Sequence, residues 1–141
     1  MAITQAVCSS FKQELLEGVH NFASGGDTFK IALYTSSATL NSSTTAYSAT
    51  NETSGTGYTA GGNTLTSQSV TLSGTTAYID FADSTWSSST ISAAGALIYN
   101  STQSNKAVLT LNFGGTYSSS NGNFTVQFPA PGTTTALLIL N

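Results

Sequence analysis

A single cysteine and a single histidine are the residues of this chain with the greatest capacity for chemistry. Cys8 and His20 are of the types that pair as nucleophile and general base in covalent catalysis. A helix through both would separate them by about 18 Å, at roughly 1.5 Å of rise per residue, which is too far for proton transfer. We therefore interpret Cys8 as a core-facing residue and His20 as part of the turn that ends the helix.

Two short motifs are similar to enzyme signatures. Residues 9–12 (SSFK) fit the S-x-x-K acylation pattern, but the S-D-N and K-T-G triplets that accompany it are absent. Residues 55–60 (GTGYTA) are similar to a dinucleotide fingerprint, which functions between a buried strand and a helix N-terminus. Here a strand pattern follows. Because serine, threonine and glycine are so frequent, we interpret both motifs as chance matches.

Two nearby carboxylates, Asp80 and Asp83, are the remaining candidates for catalysis or calcium binding. The other acids are far away along the chain, so no third ligand is near in sequence. We interpret Asp80 as a solvated strand residue and Asp83 as a turn former that accepts backbone amides before Trp86. We predict no catalytic residues, no bound metal and no cofactor.

Aromatic side chains offer an alternative, a sugar-binding platform. Most tyrosines are expected in the core or in cross-strand pairs. Trp86, Tyr58 and Tyr117 are the candidate glycan contacts, because tyrosine beside asparagine and threonine suits such a site.

The composition of the 141-residue chain excludes further classes. Charged residues are 6%, against roughly 25% in typical soluble proteins. The only cations are Lys12, Lys30 and Lys106, too few to displace counterions from nucleic acid. Residues 1–7 lack a cationic targeting segment and no apolar run reaches membrane-spanning length. We expect a protein made in a cytoplasm, with neither nucleic acid nor membrane as partner, and not an enzyme.

One helix near the N-terminus must position Cys8 and His20. Val7, Phe11, Leu15 and Val19 recur every four residues, which is one face of a helix. We predict a helix over about residues 4–18, with Gly18 as its end.

Alternating apolar residues predict strands over the rest of the chain. Asn121-Gly122 is a type I′ hairpin signal that would join two of them, and residues 83–86 are predicted as a turn. The sequence thus predicts one domain, residues 1–141, whose β region (28–141) is an antiparallel β-sandwich or barrel of about seven to eight strands. The predicted strands are 29–34, 64–72, 76–82, 91–100, 106–113, 124–128 and 135–140.

Three segments do not fit a self-contained strand pattern. Residues 35–57 are a long stretch with Leu40 and Tyr47 as the only large apolar anchors, and such a loop is unusual inside a compact domain. Residues 135–140 are apolar on both faces, as in a strand covered twice. We hypothesise that segments 1–7, 35–57 and 135–141 contact other subunits, because few charges would keep copies apart. The candidate interface residues are Ile3, Leu40, Tyr47, Leu138 and Leu140.

Several stretches together resemble one family in order and spacing. They are residues 10–22 (SFKQELLEGVHNF), 29–35 (FKIALYT), 57–62 (GYTAGG), 80–83 (DFAD) with Trp86, 95–100 (GALIYN) and 122–129 (GNFTVQFP). The family comprises small virion structural proteins of tailed bacteriophages. The resemblance implies a virion component made in the bacterial host cytoplasm, first a capsid decoration (cement) protein and second a tail or head–tail component. A receptor- or glycan-binding virion module is the other alternative. The partners that the resemblance implies are the major capsid protein, other virion proteins and further copies in a homo-oligomer.

Overall fold

A computed structural model describes residues 2–140 of the chain. It is mainly β, with 45% strand and 6% helix. The elements are β1 (Ala6–Val7), α1 (Ser9–Leu16), β2 (Phe29–Tyr34), β3 (Asn63–Thr64), β4 (Ser69–Ser73), β5 (Thr76–Asp80), β6 (Ser84–Ser89), β7 (Ser92–Asn100), β8 (Lys106–Ser118), β9 (Gly122–Val126) and β10 (Leu138–Leu140). The prediction of antiparallel sheets with one helix near the N-terminus is confirmed, with about ten strands instead of seven or eight.

Helix α1 is shorter than predicted. Residues before it are extended, because Ala6 pairs with Thr110 of β8 and the Thr4 amide bonds to the Leu40 carbonyl. At its other end, Gly18 has a φ of 74°, a left-handed conformation that glycine adopts at helix ends without steric cost. The predicted end of the helix is therefore close to the observed one, whereas its predicted start is wrong.

The largest sheet has five strands in the order β1-β8-β7-β2-β3. Eight of the nine residues of β7 are buried, and β2 and β8 pair with its two edges. Strand β2 is similarly apolar and buried along most of its length. These two strands form the centre of the core.

Two smaller sheets complete the fold. One has the order β10-β5-β4 and the other pairs β6 with β9. Residues 84–86, which were predicted as part of a turn, therefore lie in a strand, because they pair with β9. Ser84, Trp86 and Ser89 of this strand are buried. The hairpin predicted at Asn121-Gly122 is also wrong: β8 pairs with β7 and β1, while β9 pairs with β6.

Aromatic contacts connect the sheets into one core. Phe29 of β2 stacks on Phe22 at 4.3 Å between ring centroids and contacts Phe81, which follows β5, at 5.7 Å. Phe124 of β9 contacts Phe113 of β8 at 6.3 Å. The three-stranded sheet is thus anchored to the large sheet through Phe81, the residue just beyond the end of β5.

The long segment between β2 and β3 folds onto its own chain. Isolated bridges join Tyr34 to Glu52 and Thr56 to Thr90, and Ala38, Leu40 and Thr53 are buried. The segment therefore packs in part against its own chain, and its contact with another subunit stays a prediction.

Candidate protein-interaction surface

The three-stranded sheet presents an apolar face. Cross-strand register places Val70 opposite Ile79, which is opposite Leu138. The next row along that face consists of Leu72, Ala77 and Leu140. Since alternate residues of a strand point to the same face, all six side chains share one side of the sheet. We call this set the apolar face.

Much of the apolar face is open to solvent. Ile79 in the central strand is buried, but Val70 is 52% exposed, Leu72 74% and Leu140 55%. Exposed contiguous apolar surface of this kind marks an interaction site in soluble proteins.

A groove of about 540 Å³ runs along the apolar face. Its opposite wall is built by the end of α1 and the following loop, including Leu15, His20 and Phe22. None of the described residues that line it is Asp, Glu, Lys or Arg. A partner in this groove would therefore be held by apolar contact and backbone hydrogen bonds.

The structure divides the predicted interface residues into two groups. Leu138 and Leu140 lie on the apolar face, where Leu140 is exposed. Leu40 is only 4% exposed and forms a bridge with Ile3. Tyr47 stacks on Tyr99 of its own chain at 4.8 Å. Ile3, Leu40 and Tyr47 thus make contacts within their own chain, and their assignment to an interface with another subunit stays a prediction. Residues 1 and 141 of the predicted contact segments lie outside the described residues.

Val70 and Leu72 are functional candidates that the sequence analysis missed. The sequence places them in a longer predicted strand, 64–72, and assigns them no function. The signal was present in the alternation Ser-Val-Thr-Leu-Ser at residues 69–73, which is typical of a strand with one wet face. The sequence does not show whether another layer of the same chain covers the opposite face.

The three candidate glycan contacts do not form a platform. Trp86 is 3% exposed and lies against Tyr58 at 6.0 Å and Phe124 at 6.3 Å. Tyr58 is half-buried, and its hydroxyl donates to Glu52 at 2.7 Å. Only Tyr117, at 57% exposure, is available to a ligand.

A polar cluster lies at the base of α1. His20 Nε2 is 3.0 Å from Glu14 Oε1, and His20 Nδ1 is 3.0 Å from Asn100 Nδ2. The Asn100 amide nitrogen also donates to Asp27 Oδ2 at 2.8 Å. Lys106 Nζ lies 3.7 Å from the second oxygen of Glu14.

The hydrogen bonds of Asn100 assign the tautomer of His20. Asn100 Oδ1 accepts from the backbone amides of Thr102 and Gln103, so its amide nitrogen must face the ring. That nitrogen can only donate, so His20 Nδ1 is the acceptor and Nε2 carries the proton donated to Glu14. Both ring nitrogens are therefore engaged in the fold.

Cys8 does not complete a nucleophile–base pair with this histidine. The thiol is fully buried, and burial, assisted by the negative charge of Glu14, raises its pKa to about 11. A reactive cysteine requires the opposite shift, because the thiolate is the nucleophile. Cys8 is a core residue, as interpreted from the sequence.

Glu52 is the centre of a second polar cluster. Its two carboxylate oxygens accept from the Tyr47 hydroxyl at 2.6 Å and the Tyr58 hydroxyl at 2.7 Å. The backbone amide of Gly61 adds a third bond at 2.7 Å. The cluster ties the long segment to the turn before β3, which is a structural role.

The acids Asp80 and Asp83 do not form a site together with other ligands. The Asp83 carboxylate accepts a hydrogen bond from the backbone amide of Phe128 at 2.9 Å. The predicted acceptance of a backbone amide is therefore found, but the donor is in a distant segment and not in a turn before Trp86. Among residues 2–140 no group of three or more His, Cys, Asp and Glu side chains is arranged to hold a metal ion.

The chain matched no protein-family model, no curated protein and no solved structure. Within the described part of the chain, no helix has the length and apolarity that crossing a bilayer requires. Function must therefore be argued from the apolar face and the polar clusters.

Proposed function

We propose that this protein is a structural component of a tailed-bacteriophage virion, and specifically a capsid decoration (cement) protein. The observation that supports this most directly is the exposed, uncharged apolar face formed by β4, β5 and β10. The resemblance of segments across the chain to small phage structural proteins supports the same function. The major capsid protein is the proposed partner.

The apolar face supplies the energy that such a role requires. Burying a leucine side chain fully contributes about 1.5–3 kcal/mol relative to leaving it exposed. Leu140 and Leu72 are both more than half exposed, so each has most of that contribution still available. Linked copies bound at many equivalent capsid sites would hold the shell more strongly than the affinity of one copy alone.

The polar clusters support a structural role over a catalytic one. His20 is hydrogen-bonded through both ring nitrogens, and Glu52 is engaged by two tyrosines. The His20 cluster joins segments that are distant along the chain, and the Glu52 cluster fastens one long segment to the turn that follows it. Their hydrogen-bonding capacity is used within the fold.

The proposal is tested on purified virions and on capsids that lack the protein. We expect the protein at a copy number comparable with that of the major capsid protein. Capsids without it should expand normally and break on heating, and added protein should restore their heat resistance. A low copy number confined to the tail would contradict the proposal.

A matched pair of variants locates the contact. Leu140→Ser should bind depleted capsids more weakly, whereas Leu16→Ser should bind normally, because Leu16 is 91% exposed but lies outside the groove. Binding should also persist in concentrated NaCl, since few charges contribute to the contact. Equal binding by both variants would assign the contact to another surface.

A receptor- or glycan-binding role in the tail is the alternative. Tyr117 is exposed beside a groove of about 550 Å³ whose lining includes Asn123, Thr125 and Gln127. Binding to a glycan array that is lost in Tyr117→Ala, together with a low copy number, would favour this role over the capsid.

A further inference from the structure

Strand β4 is an unprotected sheet edge. Among the described residues only β5 pairs with it, and all five of its residues are exposed. Proteins usually block such edges with lysine, proline or a bulge, since free backbone groups recruit further strands. Residues 69–73 (SVTLS) contain no charge and no proline, and their pairing with β5 has no bulge.

The hairpin between β4 and β5 determines which backbone groups face outward. Ser73 pairs with Thr76 across a two-residue turn, and Gly74 at its first central position has a φ of 60°, as a type II′ turn requires. The pair that flanks such a turn exchanges both hydrogen bonds, and the bonded pairs alternate along the ladder. The N–H and C=O groups of Val70 and Leu72 therefore point away from β5.

The free edge is complementary to itself. If two copies of β4 lie antiparallel about a two-fold axis at Thr71, Val70 of each copy is opposite Leu72 of the other. These are the residues whose backbone groups point outward, so the pairing forms four inter-chain hydrogen bonds. Thr71 faces Thr71 of the second copy on the other side of the sheet, a favourable cross-strand pair. No charge meets its own copy at the axis.

We propose that two copies of this protein pair through β4 into a continuous six-stranded antiparallel sheet. Such a two-fold interface uses the same patch on both subunits. The apolar faces become continuous across the axis, where Val70 and Leu72 of the two copies shield one another. Leu138 and Leu140 remain at the two outer edges, open to a capsid partner. The dimer rests on the proposed function, because both use the same apolar face. The experiments that test the dimer need only the purified protein.

Symmetric cross-linking tests the register. In Thr71→Cys the two introduced thiols would lie opposite each other in a pair without backbone hydrogen bonds, with Cα atoms about 4.5 Å apart, which a disulfide spans. Ser69→Cys is the control: residue 69 would face residue 73 of the second copy, about 13 Å from its own counterpart at roughly 3.3 Å per residue. We expect mild oxidation to give covalent dimers of Thr71→Cys and not of Ser69→Cys. Cys8 is buried in both.

Lysine substitutions at the same two positions test the equilibrium between monomer and dimer. Thr71→Lys places two like charges at the axis and should weaken the dimer in sedimentation experiments at low salt, with recovery at high salt. Ser69→Lys carries the same charge opposite a serine and should dimerise as the parent does. A parent protein that stays monomeric at every concentration, or equal cross-linking of both cysteine variants, would overturn the dimer. Capsid binding by such a monomer would leave the capsid proposal standing.

Discussion

Asn100 Nδ2 lies 3.0 Å from His20 Nδ1 and thereby sets the tautomer of the only imidazole in the chain. The two residues are 80 positions apart, one at the end of β7 and the other just after α1. Their contact fastens the helix exit to the central strand. It also leaves the ring without a free nitrogen, which is why the histidine is a structural residue.

Removing the Asn100 amide should destabilise the fold strongly. Asn100→Leu removes four hydrogen bonds, those to His20, to Asp27 and from two backbone amides, and all four are at least partly buried. We expect a loss of about 2–4 kcal/mol of unfolding free energy, measured by urea denaturation. Asn112→Leu, at an exposed position of β8, should cost less than about 1 kcal/mol. Equal losses would show that the cluster does not stabilise the fold.

Asp27 should make the protein sensitive to acid. Partial burial alone would raise the pKa of this carboxyl, but hydrogen bonds from Asn100, from the Asn21 backbone amide and from Gln103 outweigh it and hold the pKa below 3.8. A folded-state pKa lower than the unfolded value gives stability that is present above the unfolded pKa and lost as pH falls through the folded one. Urea denaturation from pH 5 downward should show this loss, and Asp27→Asn should have a shallower slope. Parallel slopes would contradict it.

Four buried or half-buried tyrosines should ionise only at a pH above the ordinary tyrosine value. Burial, with the charge of Glu52, raises the pKa of Tyr99 to about 12, and burial with Glu52 raises the pKa of Tyr34, Tyr47 and Tyr58 further. Raised folded-state values give stability that is complete below the unfolded pKa of about 10 and lost as pH increases beyond it. Ultraviolet titration should show these four groups ionising together with unfolding, followed by circular dichroism. Ionisation at the ordinary pKa with the fold intact would contradict the cluster geometry.

Glu52→Gln should loosen the segment between β2 and β3. The amide keeps one acceptor oxygen and places an NH2 group where a tyrosine hydroxyl now donates. We expect a loss of about 1–3 kcal/mol in thermal or urea unfolding. Glu17→Gln is the control, because Glu17 is exposed and its side-chain bond to Gln13 is at the surface. A similar loss in both variants would rule out a special role for Glu52.

Gly62→Ala should be far more damaging than Gly74→Ala. Both glycines have positive φ, 79° and 60°, so both variants pay a backbone cost of about 1–2 kcal/mol. A Cβ at Gly62 would also collide with the backbone of Ile31, whereas one at Gly74 meets nothing within 4 Å. The midpoint of thermal unfolding should therefore fall much further for Gly62→Ala. Equal midpoints would mean that β2 and β3 can separate without cost.

Sequence patterns predicted the helices and strands that neighbouring residues are sufficient to specify. The period of four around Phe11 with Gly18 behind it predicted a helix in the right place, and the alternation from Phe29 to Tyr34 matches β2. Residues 83–86 were predicted as a turn, because aspartate, serine and threonine favour turns. Only the pairing of β6 with β9 makes Trp86 a buried strand residue.

The sequence by itself determined the β-rich class, the single helix, the scarcity of charge and which side chains share a face, because periodicity and composition are properties of neighbouring residues. The tertiary structure alone decided which of those faces are covered. Leu40 and Leu72 are the same residue type in polar segments, yet one is 4% and the other 74% exposed. Burial depends on contacts between distant segments, such as Leu40 with the N-terminal strand region, and no local pattern encodes that pairing.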